Sequence, residues 1–267
     1  MSHQVLNAFL LTLFAGLSTG IGSAIAFFSK STNKKFLSAA LGFSAGVMIF
    51  ISFVEMYPMA KTMIAKSFSP KKAEMITIVV FVGGMILSAL IDLVVPEAEN
   101  PHEARNLPGE AGSEDEKRAL MRLGLLSAVA IAIHNFPEGI ATFAAAYSSP
   151  TLGVSIAVAV AIHNIPEGIA VSVPIYYATG SKKKAFWYSF MSGLAEPLGA
   201  IVAFFTLRAF FSDLVMGYLF AAVAGIMVFI SLDELIPTAK KYGEGHWSVY
   251  GLISGIIVIA FSLVVLD

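Results

Sequence analysis

Eight apolar runs dominate this chain, at about 5–28, 36–57, 75–95, 120–147, 152–178, 186–211, 214–235 and 249–266. Each is about as long as the roughly 20 residues a helix needs to cross some 30 Å of hydrocarbon. The expectation is an all-α, polytopic membrane protein whose eight transmembrane helices form one domain over residues 1–267. Composition agrees, with 57% apolar and 13% charged residues against about 45–50% and 25% in soluble proteins. The first run has no basic leader and is longer than the usual signal-peptide core, so it is expected to remain as a span. The absence of cysteine excludes disulfides, thiolate metal sites and thiol redox chemistry.

The formal charge of −1 is uninformative, and no nucleic-acid partner is expected. Its distribution says more. With both termini outside, twelve Lys and Arg fall on inner loops and flanks and five outside, which favours a multi-pass inner-membrane protein in that orientation. The basic loop between spans two and three argues the other way.

The runs repeat. "AVAIAIHNFPEGIA" (128–141) and "AVAVAIHNIPEGIA" (157–170) are identical at 12 of 14 positions, on consecutive spans that must run antiparallel. "AGVMIFISFVEMYPMAK" (45–61) matches "AGIMVFISLDELIPTAK" (224–240) at 10 of 17, on spans two and seven. "GLSTGIGSAIAFF" (16–28) matches "GLAEPLGAIVAFF" (193–205) at 6 of 13, on spans one and six. The chain reads as a 3+2+3 inverted-repeat bundle, a plan in which transporters hold their substrate near the midplane between facing helices.

The central repeat writes ligand chemistry into lipid. His134 and Glu138, like His163 and Glu167, stand four residues apart and share a helix face. Pro137 and Pro166 free the carbonyls of Ile133 and Ile162 beside them. A carboxylate at mid-membrane costs about 2.5–3.5 kcal/mol on insertion scales and needs a partner. No Lys or Arg lies near Glu138, Glu167 or Glu196 in sequence. A divalent cation is the simplest partner, although protonation could serve instead. Imidazole and carboxylate suit zinc and, less tightly, iron, manganese and cobalt; three carboxylates make a two-metal site bridged by glutamates reasonable. Glu196, in "GLAEPLG", aligns with Thr19, so only one half carries the acid.

The paired HNxPEG segments, the order of eight spans and "GLAEPLG" resemble the ZIP (Zrt/Irt-like) family of divalent metal transporters, in its bacterial branch. The resemblance covers nearly the whole chain. It implies a binuclear site in which His134, Glu138, His163 and Glu167 match the first metal position. Asn135, Asn164 and Glu196, with Glu138 and Glu167 shared, match the second. It also implies uptake of zinc, and of iron, manganese, cobalt and cadmium, into the cytoplasm by alternating access, with the metals as substrate and no catalytic cofactor. The loop after span three lacks a histidine run, unlike that of many relatives.

The acidic stretch 96–118 reads as a solvated cytoplasmic linker with a single histidine, His102. Glu55 in "SFVEMYP" and Asp233 and Glu234 in "SLDELIP" each precede a proline near a span end and are expected on the transport path, at opposite mouths. GxxxG spacings at Gly16/Gly20, Gly42/Gly46 and Gly251/Gly255 allow close packing within the bundle or in a homodimer. The expected partners are divalent cations and the lipid bilayer. Two other classes stay open, an intramembrane metalloprotease and a metal-sensing membrane protein. The first would be expected to show HExxH where this chain has HNxPE.

Overall fold

The computed structural model describes residues 3–26, 34–94, 114–207, 212–242 and 245–266. Eight helical rods account for nearly all of them. They are α1 (His3–Ala26), α2 (34–65), α3 (Pro70–Val94), α4 (Glu114–Ser148), α5 (Pro150–Thr179), α6 (182–207), α7 (213–242) and α8 (Trp247–Leu266). Seven are long and apolar enough to cross a membrane over their described residues, and α4 is 35 residues long. Among the described residues there is no strand.

The rods overrun the apolar runs because hydropathy marks only the part within lipid. One boundary is corrected. The stretch read as a linker to residue 118 is already helical from Glu114, where Lys117 Nζ donates to Glu114 Oε1 at 2.7 Å. Acids in a first turn also suit the helix dipole. That hydrogen bond and the Lys117 charge hold the Glu114 carboxyl below the usual range. His102 lies outside the described residues. The α4–α5 connection is tight: Ser149 caps α5, its Oγ accepting from the Leu152 amide, and Pro150 opens the helix, as favoured at a first position.

Three rods are not uniform. Each of α2 and α7 carries a π-turn, at Ser52–Met56 and Ser231–Leu235, positions that the 45–61/224–240 repeat superposes. The cause is in the sequence. Pro58 and Pro237 follow each turn and cannot sit against the carbonyl four residues back, and a wider turn relieves the clash. Ser52 and Ser231 answer alike, each donating to the carbonyl four residues earlier at 2.7 Å. In α6 the helix breaks at Leu194, between Lys182–Gly193 and Ala195–Val202, and a third π-turn, Ala203–Leu207, ends the rod.

Glycines set the crossings. A Cβ on Gly22 would strike the carbonyl of Ile165, and one on Gly168 that of Thr19, so α1 and α5 touch backbone to backbone. Gly199 and Gly139 do the same between α6 and α4, against Phe136 and Glu196. On the other side, Gly46 and Gly255 join α2 to α8 at Leu252 and Phe43, while Gly225 and Gly84 join α7 to α3 at Phe81 and Ala222. Exchanging α1 with α6, α2 with α7, α3 with α8 and α4 with α5 carries each of these contacts onto another. Gly16 and Gly193 meet each other's carbonyls, so they lie where that exchange maps the chain onto itself. The GxxxG glycines of α1, α2 and α8 therefore face neighbouring helices of the same chain. Small residues at such seams are what lipid-embedded packing relies on, since burial of apolar surface gains little there.

Candidate metal site between α4, α5 and α6

The one-residue turn at Ser149 makes α4 and α5 an antiparallel hairpin, and their HNxPEG segments lie at similar distances from it. Both segments are helical throughout, prolines included. The i, i+4 spacing then turns each set of polar groups to one face, and α6 closes over that face where Gly199 and Gly139 bring it onto α4.

Asn135, Glu138, His163, Asn164, Glu167 and Glu196 are all buried, none more than 2% exposed. His163 Nε2 lies 3.3 Å from Glu138 Oε2, joining α5 to α4. The Asn164 amide donates to Glu196 Oε1, joining α5 to α6, and to the Ala15 carbonyl of α1 at 3.1 Å. Ser44 Oγ of α2 donates to the His163 carbonyl at 3.3 Å. The His134 side chain lies outside the described residues, and among those described no three His, Asp or Glu side chains close on a single point. Both amide atoms of Asn135, together with Asn164 Oδ1 and Glu196 Oε2, are buried without a hydrogen-bond partner. Burying such atoms unsatisfied costs about 1–3 kcal/mol each, a cost that a bound cation would offset at the three oxygens but not at the Asn135 Nδ2 donor.

Glu55, Asp233 and Glu234 are half-buried and lie in the π-turns of α2 and α7, Glu55 and Glu234 at matching positions. The Ala15 carbonyl, Ser44 and the break at Leu194 all touch this neighbourhood and were not among the residues singled out from sequence. Ser44 carried no signal, because a lone serine in a small-residue helix is ordinary. The break did carry one, in Pro197.

Buried carboxylate, imidazole and amide groups held between helices long enough to span a bilayer define a class, that of intramembrane cation-handling proteins. The chain belongs to the ZIP zinc transporter family, whose sequence model matches residues 95–263. It is 56% identical over 264 residues to the zinc transporter ZupT of Streptococcus mutans serotype c, covering 98% of each chain. It is 58% identical over 265 residues to that of Oceanobacillus iheyensis, covering 98% of this chain and 99% of the relative. With ZupT of Lysinibacillus sphaericus it shares 57% identity over 271 residues, spanning 100% of both. These are transporters, which sets aside the metalloprotease reading.

Proposed function

We propose that the chain carries zinc, and with it iron, manganese, cobalt and cadmium, across the inner membrane into the cytoplasm by alternating access. The observation that carries this reading is the set of cross-helix pairs, His163 with Glu138 and Asn164 with Glu196, buried where α4, α5 and α6 meet. Its relatives are named as zinc transporters. In the binuclear form of the reading, His134, Glu138, His163 and Glu167 hold one ion. Asn135, Asn164 and Glu196 hold the second, with Glu138 and Glu167 bridging. The two observed pairs fall one in each set, which supports the division.

The carboxylates supply the negative charge that makes a dehydrated dication tolerable inside a low-dielectric bundle, and the imidazoles favour borderline metals. The 3+2+3 inverted repeat is supported by the glycine contacts that the helix exchange carries onto one another. Such a bundle can present one site to either side. Both termini face outward in this reading.

The test uses the purified full chain in sealed vesicles containing an entrapped zinc indicator. Zinc added outside should enter faster than into empty vesicles, with saturation, and manganese, iron(II), cobalt and cadmium should compete. Uptake at the rate of empty vesicles would overturn the reading. Imposing a pH gradient or a voltage identifies the driving force.

A further inference from the structure

We infer that the Thr19 hydroxyl is a further oxygen ligand for the transported cation, contributed by α1. The inference rests on the proposed function and adds a helix to its site. Thr19 is fully buried, and its Oγ1 has no hydrogen-bond partner. Among the described threonines, Thr142 alone shares this state. Thr12, Thr62, Thr77, Thr179 and Thr206 each donate to the carbonyl four residues back, at 2.6–2.9 Å, the default for a helical threonine. For Thr19 that acceptor would be the Ala15 carbonyl. Ser18 Oγ already donates to it at 2.6 Å and the Asn164 amide at 3.1 Å, and a carbonyl has two lone pairs. Two donors thus stand at the oxygen that Thr19 would ordinarily reach, and one of them, Asn164, is a member of the candidate site.

Position strengthens the case. The 16–28/193–205 repeat places Thr19 where the second half carries Glu196. The two stand on either side of the Gly16–Gly193 contact. A Cβ on Gly193 would lie 2.8 Å from Thr19 Oγ1, and one on Gly16 3.3 Å from the Glu196 Cβ. Helical side chains lean toward their own N-terminus. Since α1 and α6 are antiparallel across this contact, Thr19 leans toward the level of Gly16 and Glu196 toward that of Gly193, each toward the other. Oxygens from three helices, Thr19 Oγ1, Asn164 Oδ1 and Glu196 Oε2, are therefore buried around one crossing without partners. A neutral hydroxyl adds an oxygen donor there without adding charge, which suits a site already holding glutamates.

Thr19→Val keeps the shape and removes the oxygen, and Thr19→Ser keeps the oxygen. Calorimetric titration of each purified protein with zinc and with manganese, zinc uptake in vesicles and thermal unfolding are measured together. Thr19→Val should weaken metal binding about threefold to tenfold, the scale of one lost polar contact, with manganese hit harder because hard ions depend more on oxygen ligands. Its melting temperature without metal should equal or exceed the parent's, since an unsatisfied buried hydroxyl is gone. Thr19→Ser should bind within about twofold of the parent on the same scale. If Thr19→Val binds and transports like the parent, or melts lower and is restored by serine, the hydroxyl is structural and the inference falls. Failure of the parent itself to bind or move zinc would instead defeat the proposed function.

Discussion

Glutamates 138 and 167 are buried on facing helices, and His163 reaches across to Glu138 at 3.3 Å. If each bridges two ions, removing either leaves both positions short of charge. Glu138→Ala and Glu167→Ala should insert normally yet take up zinc no faster than empty vesicles do. Asn135→Ala and Asn164→Ala remove neutral ligands and should cost about tenfold each, equivalent to ~1.4 kcal/mol. Normal uptake by well-folded glutamate variants would end the bridging assignment. Glu196→Gln removes charge at nearly constant shape, and calorimetry should show the second of two zinc ions binding more weakly while the first is kept. Much of this cluster was legible because His, Asn and Glu are costly in lipid and had been written twice. What sequence did not show is who touches whom. The pairing of Asn164 with Glu196, and the serine of α2 that holds the His163 carbonyl, depend on crossings between helices far apart in the chain.

At the level of helices, the apolar runs located every rod, since a helix crossing lipid needs about 20 apolar residues in a row. The π-turns of α2 and α7 and the break at Leu194 were not foreseen, although Pro58, Pro237 and Pro197 marked them, whereas no proline follows the π-turn of α6. Proline forbids a regular turn without specifying which irregular one replaces it. The seams illustrate the same limit, because GxxxG spacing announces close approach but not the partner. Gly83 and Gly84 of α3 show how local the answer is. A Cβ on Gly84 would strike the Ala222 carbonyl of α7, whereas one on Gly83 meets nothing. Gly84→Ala should therefore destabilise the protein by about 1–3 kcal/mol through overpacking. Gly83→Ala should be neutral or stabilising by up to ~1 kcal/mol through helix propensity. Thermal unfolding in detergent compares the two neighbours, and equal shifts would contradict the α3–α7 contact.

Across the whole molecule, the starts of α2, α4, α6 and α8 share one face, because each even helix returns from where an odd one ended. Lys35, Lys117 and Lys182–Lys184 lie there, with exposed Trp187, Tyr188, Trp247 and Tyr250 in the first turns of α6 and α8. The aromatic rings mark an interface on either side, and the basic residues beside them favour the inner one. On the opposite face Lys61 pairs with Glu74 at 3.2 Å and Lys66 with Asp213 at 2.9 Å. These exposed pairs link α2 to α3 and α7 and engage Lys61 and Lys66, two of the basic residues that argue the other way. With termini outside, Glu55 falls on the outer half of α2, and Asp233 and Glu234 on the inner half of α7, in matching π-turns. A widened turn frees backbone carbonyls beside a carboxylate, so each is suited to guiding a cation at its own mouth. Glu55→Ala should then lower uptake mainly at low outside zinc, raising KM with little change in kcat. Asp233→Ala combined with Glu234→Ala should lower kcat and leave outside-facing affinity nearly unchanged. The chain has no cysteine, so a single cysteine at position 55 reports its own side cleanly. Labelling of that position only from the cytoplasmic side, or parent-like rates in both variants at every zinc concentration, would refute the assignment.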